Sequence, residues 1–464
     1  MFRSFIRLTL AIAPVVCFAQ STMPPEADQK LAHDIYKEII DINSGFTTGS
    51  TTPVVEAIQK RLRAAAWADS DIFVGGVVPK KANIVFRYHG SGQRKPILLL
   101  AHTDVVEAKR EDWSMDPFTF VEKDGYFYGR GTSDDKAQAA VWVANLIRYK
   151  REGFKPDRDI IVALTADEEG GGPYNGVDWL IKDHRNLIDA EFCLNEGGEG
   201  LMVNGKRLSN NIQAAEKWYV DFRLEVRNKG GHSSLPVPDN AIYHLAGALM
   251  RLSQYTFPLK TNETTRAHFG GLAKIDDSGK KADLEGVGHD DSGAMKRIAA
   301  ASPMWNSMLR TTCVATQLEG GHARNALPQL AVANINCRVI PEEGLQATMD
   351  TLRKVIADDQ VKLSLADELK AAPPSPLRPD IMRAVSSVTD RMWPGVIVLP
   401  VMSTGATDGR ALRAAGIPTY GIQGFFCERD DNRMHGRDER MNVRSFYEGQ
   451  TFLYELVKTL TSAQ

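Results

Sequence analysis

At 464 residues, with 43% hydrophobic and 25% charged side chains, the chain is longer than one hydrophobic core comfortably serves, so two globular domains are expected. Lys and Arg total 56 against 58 Asp and Glu, a formal net charge of −2. That balance leaves no electrostatic footprint for a nucleic-acid or anionic-membrane partner.

Arg3 and Arg7 accompany an almost wholly apolar run over residues 8–18, and Ala19 stands before the polar Gln20 and Ser21. This is the pattern of a secretory signal over residues 1–19, cleaved after Ala19. The run is too short to span a bilayer, and the bulky Val16 before Cys17 weighs against a lipid-anchored start. An exported protein, periplasmic or secreted and free of the membrane once the signal is removed, is expected.

Residues 29–43 and 53–68 read as amphipathic helices, the second with Pro53 in its first turn. Residues 83–88 alternate like an edge strand. Residues 97–101 are a short, continuously apolar run, as a strand buried on both faces requires, and residues 159–165 and 190–195 read as two further buried strands. Helices are expected at 137–151 and 175–183. Strands alternating with helices predict an α/β layered domain. The pattern then changes: a long alternating strand at 215–227, a helix at 240–254, strands at 309–319 and 329–340, a helix at 344–358 and a strand at 361–366. This β-α-β-β-α-β order predicts a ferredoxin-like domain over residues 212–371, inserted into an α/β domain formed by 24–211 and 372–464. Residues 261–306 read as an excursion with short helices, and the proline-rich stretch 371–379 as the return linker.

Signal removal takes Cys17 and leaves Cys193, Cys313, Cys337 and Cys427, none at the paired spacing of a thiolate zinc site. A disulfide and four buried free thiols both fit. Cys313 and Cys337 are equally distant in sequence from Asn325. If the strands at 309–319 and 329–340 pair as a hairpin around that residue, the two thiols face each other.

Polar clusters stand at the ends of the apolar strands, where open α/β sheets gather their ligands. Residues 97–101 run into His102-Thr103-Asp104, an imidazole with a carboxylate two residues on that can orient it. Gly129-Arg130-Gly131-Thr132-Ser133-Asp134-Asp135-Lys136 precedes a helix and lacks the spacing of a phosphate-cradling loop. Asp167-Glu168-Glu169 follows another strand. Three adjacent acids repel one another unless a cation or solvent compensates, and neighbouring glutamates can divide metal binding from proton transfer. Asn195-Glu196-Gly197-Gly198 ends the third strand, and Met434-His435-Gly436-Arg437-Asp438-Glu439 lies far along the chain in a polar loop. Two histidines with several carboxylates form an oxygen-and-nitrogen set suited to zinc, manganese or cobalt.

The ordered set, across nearly all of the chain after residue 19, resembles the co-catalytic zinc peptidases that include aminoacylase, acetylornithine deacetylase, succinyl-diaminopimelate desuccinylase, glutamate carboxypeptidase and carboxypeptidase S. The resemblance implies two zinc ions per subunit, with cobalt or manganese as possible substitutes. It makes His102 and Glu196 ligands of one zinc, His435 and Glu169 ligands of the other, and Asp134 the bridge. Glu168 would be the general base and Asp104 the partner that orients His102. Gly230-Gly231-His232-Ser233-Ser234 resembles the motif whose histidine polarises the scissile carbonyl, usually across a homodimer made by the inserted domains. Asn325-Ala326-Leu327-Pro328 and Arg338 resemble substrate-binding positions, and Thr404-Gly405-Ala406-Thr407-Asp408-Gly409 a glycine-rich loop near the metals. The implied activity is hydrolysis of the amide bond of small peptides or N-acyl amino acids with a free carboxylate. An aminopeptidase, a metal phosphoesterase and a non-catalytic binding protein are the alternatives.

Overall fold

The computed structural model describes residues 22–462, apart from 368 and 370. The signal expected at 1–19 lies outside these residues. None of the described helices is long and apolar enough to cross a membrane.

A ten-stranded mixed sheet organises the larger part of the chain. At its centre Ile97–His102 pairs in parallel with Ile160–Thr165 on one side and Phe192–Asn195 on the other, and Thr419–Gly421 continues the parallel run. Ile97–His102, Ile160–Thr165 and Phe192–Asn195 are buried along their whole length, which their unbroken apolar runs demand. One face is covered by Glu26–Ile40, Thr52–Ala64, Lys136–Glu152, Pro379–Met392 and Val443–Thr461, with Trp142, Tyr149 and Phe452 among the core residues. On the other face Val177, Leu180 and Leu412 of two shorter helices pack against Leu98, Leu100 and Ile161. Parallel registry brings His102 opposite Thr165 and ends these strands along one edge.

The second sheet has four antiparallel strands in the order Thr312–Gly320, Leu330–Val339, Trp218–Arg227, Lys362–Leu365. Helices Ala241–Gln254 and Leu345–Ile356 cover one face, burying Phe222, Leu224, Leu245, Ile335 and Leu352. Order and connections are those of a ferredoxin-like unit. Cys313 and Cys337 are register partners on neighbouring strands and are joined as a disulfide. The excursion forms four helices between Glu263 and Met308 around Phe269, Leu284, Val287 and Ile298. Residues 371–378 carry no helix or strand, and Pro379 opens the next helix.

One expected strand divides. Residues 215–227 read as continuous, but the chain leaves the large sheet at Glu216 and enters the small one at Trp218. Lys217, fully buried, is the crossing point. Its backbone N–H donates to Ser403, and its ammonium donates to the carbonyls of Ser307 and Arg310 at 2.9 Å and to the hydroxyls of Ser307 and Thr312. A polar side chain buried at a sheet junction interrupts the alternation that otherwise runs through Val220, Phe222, Leu224 and Val226.

Candidate metal centre

The edge where the parallel strands end carries the site. His102 is the last residue of its strand and is buried. Its Nδ1 lies 3.0 Å from the backbone carbonyl of Asp104 and 3.7 Å from that residue's carboxylate. The carboxylate of Asp104 instead accepts the backbone N–H groups of Glu168 and Glu169, at 3.2 and 3.0 Å, pinning the loop after the neighbouring strand.

Asp134 stands between the two imidazoles. Its Oδ1 is 2.9 Å from His102 Nε2 and its Oδ2 is 3.0 Å from His435 Nε2. Glu196 lies 3.8 Å from His102 Nε2, and Glu169 lies 3.1 Å from His435 Nε2. Potential ligand atoms of His102, Asp134 and Glu169 fall within 4.8 Å of one another, as do those of His102, Glu168 and Glu196. The structure thus gathers His102, Asp134, Glu168, Glu169, Glu196 and His435 into one cluster.

The acid triplet after Thr165 divides its charge. Asp167, at a φ of 65°, turns into a buried ion pair with Lys81 at 2.6 Å, leaving Glu168 and Glu169 in the cluster. Loss of water raises Glu168 well above the ordinary carboxylate range against the opposing charge of His102, and Asp408, Glu169 and Asp134 push the same way. Burial raises Glu196 likewise. Burial would raise Asp134 too, yet hydrogen bonds from His102 and His435 hold it far below the usual range. Hydrogen bonds to Asp134 and Glu169 push His435 up to about 10. Carboxylates this mutually repulsive, beside two imidazoles, form a donor set that a pair of divalent cations neutralises, so the residues present fit metal.

The other residues expected at the site stand elsewhere or at its margin. His232 is exposed; it pairs with Ala326 in a short antiparallel ladder, and its Nδ1 is 2.7 Å from the Ser234 hydroxyl. None of its hydrogen bonds joins the metal cluster among the described residues. Asn325 is adjacent, its carbonyl accepting the N–H of Ser233 at 3.1 Å. Arg338 lies over the Tyr219 ring, 4.5 Å from its centre, and reaches the Thr404 carbonyl at 3.4 Å. It lines a cavity of about 620 Å³ on the helix-free face of the small sheet. Gly405 is held by its N–H on the Ser403 hydroxyl at 3.0 Å.

Three supporting residues had no role in the sequence reading. Lys81 is one. Asp408 is the second: burial pushes it up to about 6, and it accepts from Asn175 at 2.7 Å and from Thr165 at 3.2 Å. Glu439 is the third, four residues after His435 and fully buried.

Comparison with known proteins bears directly on this cluster. The sequence model of peptidase family M20/M25/M40 matches residues 98–459, a span that contains every residue of the cluster. The chain belongs to this family. A probable carboxypeptidase S-like protein of Dictyostelium discoideum is 30% identical over 387 residues, covering 81% of this chain and 74% of that protein. The human N-fatty-acyl-amino acid synthase/hydrolase PM20D1 is 28% identical over 408 residues, covering 85% and 80%. An M20 family metallo-carboxypeptidase from Sulfolobus solfataricus superimposes with a TM-score of 0.67 at 16% identity, over 92% of this chain and 98% of that one, a likeness of fold. The M20 family is one of metal-dependent hydrolases, and the cluster at the strand ends is this member's candidate metal site.

Proposed function

We propose that this protein is a two-zinc hydrolase that cleaves the amide bond of small peptides or N-acyl amino acids bearing a free carboxylate beside that bond. The observation that carries the reading is Asp134, with one oxygen on each of two imidazoles and Glu168 in the same cluster. In this reading His102 and Glu196 would hold one metal and His435 and Glu169 the other, with Asp134 contributing to both. When bound, the metal pair supplies Lewis acidity, polarising the scissile carbonyl and making water more acidic.

The chain's own residues carry the remaining chemistry. Glu168, raised well above the ordinary carboxylate range by burial, takes a proton from the attacking water and returns it to the leaving amine. Asp104 holds Glu168 and Glu169 through their backbone N–H groups, so the base and a ligand are placed together. Arg338 offers a planar fork to the substrate carboxylate from the opposite sheet, with Asn325 and the Gly405 loop beside the substrate.

His232 donates to the developing oxyanion from a second subunit. Its exposure supports a homodimer formed through the inserted unit. So does the edge strand Thr312–Gly320, where Val314 and Leu318 are 61% and 67% exposed. The Cys313–Cys337 disulfide supports an exported protein.

The test compares one substrate as free acid and as amide. Wild type should strongly prefer the acid, and Arg338→Ala should lose about 2–5 kcal/mol on the acid, as for a charge left unpaired in a closed site, with little change on the amide. Equal rates on both forms by wild type would overturn the carboxylate requirement and favour an aminopeptidase.

A further inference from the structure

Asp134 and His435 lie 301 residues apart in sequence, each on a loop, yet they meet at 3.0 Å. Coil segments do not hold such a distance unaided, and one buried carboxylate joins the two loops. Glu439 Oε2 accepts the Arg130 guanidinium at 2.7 Å and the Gly131 N–H at 3.1 Å. Its Oε1 accepts the N–H groups of Ser133 at 2.6 Å and of Asp134 itself at 3.2 Å. Arg130 spans to the same loop again, donating to the Gly436 carbonyl at 2.8 Å, and the Glu439 carbonyl accepts from Gly129.

The sequence is shaped to receive that carboxylate. Gly129 and Gly131 adopt φ values of 151° and 89°, which lets several N–H groups of the loop converge on one anion. At Gly131 a Cβ would come within 2.7 Å of Val105 Cγ1, so no side chain fits there. Arg130 lies over the ring of the buried Trp113, 5.0 Å from its centre, and is only 2% exposed, so the ion pair is closed to solvent.

Resting on the two-metal reading, we propose that Glu439 is a positioning residue for the metal pair: it fixes the Asp134 loop against the His435 loop and so sets the metal position those two ligands share. The position of His102 and Glu196 depends on it less, since those residues stand on or beside sheet strands with their own ladder bonds. Glu439→Gln keeps the shape but turns one oxygen into an amide NH₂ aimed at N–H donors and removes the charge opposite Arg130. Arg130→Lys keeps the charge and removes the fork.

Metal-stripped wild type, Glu439→Gln and Arg130→Lys are titrated with Co²⁺, with bound metal counted by elemental analysis, affinity measured by calorimetry and the ligand field followed by absorption. Wild type should bind two ions. Glu439→Gln should bind the ion at His435 about tenfold to a hundredfold more weakly, and the ion at His102, which shares Asp134, more weakly by a clearly smaller factor, with a matching change in the cobalt spectrum. Arg130→Lys should shift in the same direction by less. It supplies the answer if Glu439→Gln does not fold. A merely structural Glu439 would lower the melting temperature of the metal-free protein while leaving both affinities and the spectrum as in wild type, and that result overturns the proposal. Wild type that takes up no metal overturns the two-metal reading itself, and this assignment with it.

Discussion

The Cys313–Cys337 disulfide closes a loop across a sequence separation of 24 and ties the edge strand of the small sheet to its neighbour. Reducing it changes no residue, so the perturbation is clean. The chain-entropy relation for a loop of this length gives about 3.4 kcal/mol at 25 °C, the freedom returned to the unfolded segment when the bond opens. The loss falls on the inserted unit, because Cys337 is buried in that unit's own core. Peptide-resolved hydrogen exchange is therefore the assay, comparing oxidised protein with protein reduced by a mild thiol. Amides of residues 312–340 that exchange by opening of this unit should lose protection by roughly 300-fold, the equivalent of 3.4 kcal/mol, while residues 97–102 and 160–165 stay unchanged. Alkylation in denaturant without reductant should label Cys193 and Cys427 but neither Cys313 nor Cys337. Labelling of all four, or equal protection before and after reduction, would refute the reasoning.

Proton release should accompany metal loading. With His435 held up to about 10 in the metal-free protein, its imidazole is protonated at pH 7 and must lose that proton to become a ligand. Metal affinity should therefore rise with pH up to about 10, and the binding heat at pH 7 should vary with the ionisation heat of the buffer; identical heats in two buffers would contradict it. If His232 acts across a dimer, mixing His232→Ala with Glu168→Gln should restore partial activity in hybrid dimers, because one of the two sites then has both residues intact. No recovery despite verified subunit exchange would argue against a role in trans.

The sequence announced what depends on local pattern. Strands such as Ile97–His102 and Ile160–Thr165, buried on both faces, write themselves as apolar runs, and the chemistry-bearing residues follow them directly. The Lys206–Glu216 strand was not legible, because Asn210 and Gln213 are buried there, their amide N–H groups donating to Thr389 and Glu216, which erases any hydrophobic period. The crossing at Lys217 was hidden because its acceptors, Ser307, Arg310 and Thr312, lie some 90 residues away. Glu439, Asp408 and Lys81 escaped for a related reason. Each acts by bonding groups remote in sequence, and such bonds have no spacing to read. Proximity to His435 was the available signal for Glu439.

The central claim is that a metal pair is held by His102, Asp134, Glu169, Glu196 and His435, with Glu168 moving the proton. It is tested most directly by measuring metal content and turnover together in Glu168→Gln and Asp134→Ala. Glu168→Gln should retain about two zinc ions per chain while turnover falls by about 10²–10⁴-fold, the usual contribution of a general base. Asp134→Ala, which removes the carboxylate between the two imidazoles, should lose metal from both positions. Glu168→Gln that sheds its metal, or Asp134→Ala that keeps two ions, would contradict the account.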